Sequence, residues 1–437
     1  MSKPADGKVG YWEVTAIGIG GMVGGGIFAV LGLSINLTGS GAPVAFLLAG
    51  LVALVTAYSY TRLSVTFPSQ GGTVAFLDRA FGPGLLTGTT NILLWLSYIV
   101  MLSLYAYAFG SYGASLFPDA NQVFLKHLFI SLSLIIITGL NLLSARSIGD
   151  AEDWIVLIKL MILILFIAMG ISGIDSARLT PSSWPDSLHI IAGGMLIFLA
   201  YEGFELIANS AQDVRNPAKI LPRAFYSAVV FVIVLYVLIA IVTVGTLPTS
   251  EIIAAKDYAL AEAARPFLGQ GGFQLIAVAA MLSTASAINA TLYGTARLSY
   301  CIAKDGELPK TLEKKIWNEP IEGLFITTVA SLLMANFVDL SSISTMGSVG
   351  FLLIFAAVNA ANVKLASHTQ SRRWLSFLGM GLCLGALVSL LWLNSGHSLK
   401  RLWIPVAMIA AAFIIEASFR LATDRAIRLP KPEKQKP

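Results

Sequence analysis

Three sets of residues stand inside long apolar stretches, where each carries a cost that only a partner or a function offsets. A lone lysine, Lys159, lies in Trp154-Ile-Val-Leu-Ile-Lys159-Leu-Met-Ile-Leu-Ile-Leu-Phe-Ile. Two carboxylates, Glu202 and Glu205, follow Phe198-Leu-Ala-Tyr201. Six glycines crowd the nine positions from Gly18 to Gly26. An ionisable group inside a membrane marks a substrate or proton path unless it reaches an interface. Lys159 is about five residues from Trp154, roughly 8 Å along a helix, and its side chain leans toward the helix N-terminus. It therefore either snorkels to the interface or lies in the bundle and exchanges a proton during a cycle. Glu202 and Glu205, three apart, share one face if their helix continues and need not if it breaks at Gly203. Either can serve as proton site, side-chain selector or hydrogen-bonded gate, or belong to a purely structural network.

Glycine costs roughly 1 kcal/mol per residue in a helix relative to alanine, so the run at 18–26 predicts an unwound stretch or a very close helix contact. Unwound backbone survives at membrane depth only where it lines a cavity or is buried in protein. A second run, Gly193-Gly194-Met195-Leu-Ile-Phe-Leu-Ala-Tyr-Glu202-Gly203-Phe-Glu205, repeats the Gly-Gly-Met of Gly20-Gly21-Met22. A broken helix offers free N–H groups to a carboxylate and free carbonyls to an ammonium, the two ends of an amino acid. A strip of hydroxyls, Ser283, Thr284, Ser286, Thr291 and Tyr293 with Asn289 among them, has helical spacing, and such hydroxyls also commonly bond their own helix.

The elements that hold these residues are membrane spans. Of 437 residues 56% are hydrophobic and 12% charged, with mean hydropathy +0.77, which excludes a soluble globular enzyme. Twelve apolar runs are expected to span: 12–38, 43–66, 85–111, 123–144, 151–174, 188–211, 221–246, 271–303, 321–338, 342–365, 372–394 and 401–422. With the N-terminus in the cytoplasm, 22 Lys and Arg fall on the inner side and six on the outer, so both termini are expected inside. The net charge of +5 needs no nucleic acid, because the excess lies where anionic lipid would meet it. Lys3 and Lys8 precede a long segment without a small-residue cleavage site, so the first run is expected to be retained. Cys301 and Cys383 read as buried structural thiols. His127, His189, His368 and His397 form no ligand pair, and neither a metal site nor an intramembrane hydrolase is expected. Outside the spans, Ser250 to Arg265 reads as an amphipathic connector or lid with Ser250 as N-cap, Glu251 in its first turn and Pro266 near its end. Leu429 to Pro437 reads as a short basic tail without fixed structure.

The broken runs are the first and sixth, five spans apart and therefore opposite in direction, the pattern of inverted repeats in secondary transporters. At this point the chain resembles the amino acid–polyamine–organocation family. Gly24-Gly25-Gly26-Ile27-Phe28 resembles the family's first-span motif, and Phe198-Leu-Ala-Tyr-Glu-Gly-Phe204 its broken sixth span. Asn216-Pro-Ala-Lys-Ile-Leu-Pro-Arg223 is similar to the loop that follows, and Ala303-Lys-Asp-Gly-Glu-Leu-Pro309 to the motif after the eighth span.

The resemblance is strongest to the family's proton-coupled, broad-specificity amino acid transporters. It implies an all-α membrane protein of twelve transmembrane helices in the cell membrane, with a five-plus-five inverted-repeat (LeuT-type) core over 1–365. Two peripheral helices over 366–422 and a cytoplasmic tail over 423–437 would follow. It implies that the amides of Gly24, Gly25 and Gly26 hold substrate carboxylate and the carbonyls of Met22, Leu199, Ala200 and Glu202 its ammonium. Lys159 would replace the sodium ion of related carriers, bonding the Gly20 carbonyl and a hydroxyl of Ser283, with Ser286 nearby. The expected partners are a small amino acid, protons as driving ion, and lipid, with no cofactor, no sodium site and no obligatory protein partner. Having two glutamates, Glu202 and Glu205, departs from the pattern. It leaves open an amino acid/amine exchanger or polyamine carrier, in which one of them attracts a second ammonium. A nutrient-sensing receptor is the rival of a different class.

Overall fold

The computed structural model describes residues 9–143, 149–305, 321–397 and 399–423. Lys3 and Lys8, the basic tail, most of the 303–309 motif and the Cys301 side chain lie outside the described residues. Among those described the chain is helical throughout, without a strand; a single β-bridge joins Val9 to Val214.

The first apolar run folds as α1 (Tyr11–Met22) and α2 (Gly26–Thr38). Val23, at φ −80° and ψ +46°, ends α1, and the helix resumes only at Gly26. The glycine density thus produces a break rather than a straight packing face. After it come α3 (Ala42–Thr66) and a short amphipathic α4 (Thr73–Phe81), then α5 (Leu85–Ser115), α6 (Gln122–Leu143) and α7 (Gly149–Gly170).

The sixth run is also broken: α8 (Ser187–Leu196) gives way to a 3-10 turn at Phe198–Tyr201, then α9 (Leu206–Asn209), with a 50° bend between the halves. Asp186 caps α8 by accepting the His189 N–H at 3.0 Å, with His189 Nδ1 at 2.7 Å. These bonds hold the exposed Asp186 carboxyl below its ordinary range.

The remaining helices are α10 (Pro217–Thr246), α11 (Thr249–Ala255), α12 (Ala259–Asp305), α13 (Ile321–Phe337), α14 (Leu340–Lys364), α15 (Ala366–Thr369), α16 (Arg373–His397) and α17 (Leu399–Thr423). Among the described residues nine helices are long and apolar enough to cross a membrane, ten if the bent pair counts as one span; α13 is apolar but shorter.

The connector after α10 corrects the reading of Ser250 to Arg265 as one helix. Pro248, not Ser250, stands at the N-cap of α11, which ends at Ala255 where Lys256 takes a left-handed φ of +36°. A 3-10 turn at Lys256–Tyr258 leads directly into α12, so Ala259 to Arg265 belongs to the long eighth helix, kinked at Gly269 (φ +64°). The turn packs on α2, where a Cβ at Gly32 would lie 2.0 Å from the Lys256 carbonyl oxygen. Asp257 reaches Lys126 of α6 at 3.6 Å and Ser111 of α5 at 3.5 Å.

Helices α5 and α14 lie at the centre, while α6, α7, α16 and α17 expose rows such as Ile135 and Ile136, Leu157 and Met161, and Trp403 and Ile414, the surface lipid would cover. Cys383, on α16, is buried beside Thr56 and Asn359. The Ser59 hydroxyl donates to Asn359 Oδ1 at 2.7 Å and the Asn362 amide to Ser376 at 2.8 Å, tying α3, α14 and α16 together.

Candidate functional site

The two broken helices cross where both are glycine. At Gly203, φ is +91°, a value that side chains rarely adopt, and a Cβ there would stand 2.5 Å from the Gly21 carbonyl carbon and 2.8 Å from Met22 N. A Cβ at Gly26 would stand 2.9 Å from Ala200 Cα. Carbonyls freed by the two breaks, those of Met22 and Ala200, lie near enough to share one hydroxyl.

Several of these groups are already bridged. The Tyr236 hydroxyl of α10 donates to the carbonyls of Met22 (2.6 Å) and Ala200 (3.3 Å), holding both breaks from one side. Ser283 of α12 donates to Gly24 O at 2.8 Å and Val23 O at 3.2 Å. Lys159 is buried, 2% exposed, and its Nζ donates to Gly20 O at 3.2 Å. That burial decides against the snorkelling reading, and α7 is thereby tied to the last turn of α1. Leu199 O accepts the Glu202 N–H, and Glu202 O the Phe204 N–H.

The two glutamates diverge at Gly203. Glu205 is enclosed: Oε1 accepts from the Tyr98 hydroxyl at 2.8 Å and Oε2 from the Gly203 N–H at 2.8 Å. Glu202, also buried, faces a cavity of about 800 Å³. This cavity runs from Glu202, Tyr105 and Ser286, past Gly20 and Gly21, to exposed Gln70, Asn209, Asp213 and Arg297. It opens on the face where Val9 pairs with the 213–215 backbone.

Of the residues expected to bind substrate, Glu202 lines the cavity, while Gly24, Gly25, Gly26, Met22, Leu199 and Ala200 do not. Tyr105, which lines the cavity, crowds Gly25, where an added Cβ would overlap its ring. Ser103 of α5, Ser348 of α14 and Phe204 in the sixth-span break face elsewhere: Ser103 bonds Ile99 O, Ser348 bonds Leu196 O, and Phe204 packs on Tyr60 and Phe355. Tyr236 escaped the sequence reading. Its only signal was a tyrosine in the middle of the run 221–246, where a hydroxyl needs a partner.

Tyr236→Phe removes the donor from two buried carbonyls, at a cost of about 1–3 kcal/mol for groups left unsatisfied. The expected result is a lowered thermal midpoint in detergent with the protein still folded, measured by intrinsic fluorescence against wild type.

A family model described as amino acid permease matches residues 9–415. The inner membrane transport protein YbaT of Escherichia coli is 33% identical over 410 residues, covering 93% of this chain and 95% of that protein. An uncharacterized protein of Methanocaldococcus jannaschii is 34% identical over 422 residues, 96% of each. The branched-chain amino acid permease BcaP of Bacillus subtilis is 23% identical over 381 residues, 82% of this chain and 80% of that one.

Proposed function

Because this chain belongs to the amino acid permease family, within the amino acid–polyamine–organocation transporters, and is a transporter rather than an enzyme, we propose that it is a proton-coupled amino acid symporter working by alternating access. The observation that carries the proposal is the buried Lys159 ammonium on the Gly20 carbonyl, one turn before the break in α1. Protonated, Lys159 links α7 to the moving half of the first span; deprotonated, it loses the charge that strengthens this link. A proton thereby favours one of two conformations, which is what coupling requires.

In this reading twelve spans cross the cell membrane, the first ten as two inverted five-span repeats, with both termini in the cytoplasm. The cavity then faces inward, and Lys126–Asp257 and the turn at 256–258 seal the outer face. Substrate carboxylate binds the amides of Gly24 to Gly26 at the start of α2, and its ammonium binds the carbonyls of Met22, Leu199, Ala200 and Glu202. Tyr236 already engages two of these carbonyls, each of which has a second lone pair to give. Ser283 keeps the unwound carbonyls of Val23 and Gly24 in place.

The test is radiolabelled amino acid uptake into proteoliposomes without sodium, with and without an inward proton gradient and with no amino acid inside. Accumulation above equilibrium that a protonophore abolishes is expected. Uptake only when the vesicles hold an exchangeable substrate would replace symport by exchange.

A further inference from the structure

The blind end of the cavity has chemistry of its own. Tyr105 of α5 is only 3% exposed and Ser286 of α12 only 8%, both line the cavity, and neither hydroxyl has a hydrogen-bond partner among the described residues. Both oxygens open onto the cavity, so their hydrogen bonds go to whatever fills it, and a polar guest can take them. Glu202, 4% exposed, is the third wall. Its carboxyl group is the acidic side chain at this end of the cavity, where Glu205 is already taken up by Tyr98 and the Gly203 N–H.

A carboxyl group and two hydroxyls able to accept complement an ammonium better than a second carboxylate. The amides that would take a carboxylate do not line this cavity: Tyr105 and Thr284 crowd Gly25, and Ala287 crowds Gly24. A zwitterion entering from the inner face therefore meets the ammonium-accepting end first.

We propose that Glu202, Tyr105 and Ser286 form an inner docking site for the substrate's α-ammonium, filled before Tyr105 swings off Gly25 and admits the carboxylate to the amides of Gly24 to Gly26. The site is separate from the backbone cradle and exists only in the state open to this face. Tyr105 is then a gate whose hydroxyl holds the incoming ammonium and whose ring withholds the second half of the site. The inference rests on amino acid transport as the function.

The experiment uses the full chain in proteoliposomes of known sidedness, transporting L-alanine or the amino acid with the highest uptake. The probe is the amine with the same side chain and no carboxylate, ethylamine for alanine. The amine is expected to inhibit from the inner face at roughly tenfold lower concentration than from the outer. Ser286→Ala and Tyr105→Phe are each expected to weaken inner-face inhibition at least fivefold more than they change the outer-face half-saturation for the amino acid. Equal potency of the amine on both faces, or variants that shift both faces alike, overturns the docking site. If wild type moves no amino acid, the symport reading falls, and calorimetry of ethylamine binding to the purified protein decides the docking site alone. Binding weakened fivefold or more in both variants supports it, and binding that is absent, or unchanged in the variants, overturns it.

Discussion

Lys159→Ala is expected to abolish accumulation driven by an inward proton gradient while amino acid binding to the purified protein stays within about threefold of wild type. The ammonium bonds a carbonyl of α1, and hydrogen bonds involving a charged group contribute roughly 1.5–3 kcal/mol. That is roughly a 10- to 100-fold change in the ratio of two conformations, enough to uncouple transport without removing a substrate contact. Lys159→Gln separates charge from size, since it keeps a donor but cannot follow the proton, and should also fail to accumulate. Exchange of amino acid across the membrane should persist in both variants at a rate that no longer responds to pH. Full gradient-driven accumulation in Lys159→Ala would discard the lysine as the proton switch and direct attention to Glu202 and Glu205.

Gly203→Ala should be severely damaging, because a left-handed backbone and a main-chain clash coincide there. The left-handed φ alone costs a non-glycine residue about 1–2 kcal/mol. The added carbon would also meet main-chain atoms of Gly21 and Met22 at 2.5 to 2.8 Å, and no side-chain rotation relieves a backbone contact. The two half-spans must move apart, and Glu205 loses the N–H that its Oε2 accepts if the turn at 203 rearranges. We expect a loss of about 3 kcal/mol or more from strain and overpacking together, with transport undetectable. Size-exclusion chromatography and thermal unfolding in detergent, with uptake on any folded fraction, measure it. A monodisperse Gly203→Ala protein with wild-type unfolding and uptake would mean that the helices do not cross at these glycines.

The helical breaks were legible because glycine is expensive in a helix, so Gly24 to Gly26 and Gly203 state in composition what the backbone must do. Lys159 and Glu202 were legible for the same kind of reason, a charge that hydrocarbon would reject. The residues that close the site were not. Tyr105, Tyr98 and Tyr236 stand in apolar runs where an aromatic residue is ordinary, and which way each points depends on helix rotation set by packing with α2, α9 and α12. The connector shows a different limit. Ser250 and Glu251 suit a helix start, yet Pro248 begins α11 two residues earlier, and contact with α2 ends that helix at Lys256. Local propensity proposed one helix there, and tertiary packing divided it.

The β-bridge at the chain's beginning bears on how the protein should be handled. Val9 donates its N–H to Asp213 O at 3.0 Å and accepts from Arg215 N at 3.0 Å, so the lead-in to α1 is stitched to the segment after α9. The α1 half of the first span and the α9 half of the sixth are thus harnessed to each other on the open face. A purification tag or fluorescent fusion grafted directly ahead of residue 9 would pull on that harness and report its own drag as altered kinetics. Labels belong after residue 423, or ahead of a flexible spacer long enough to leave the Val9 stitch slack.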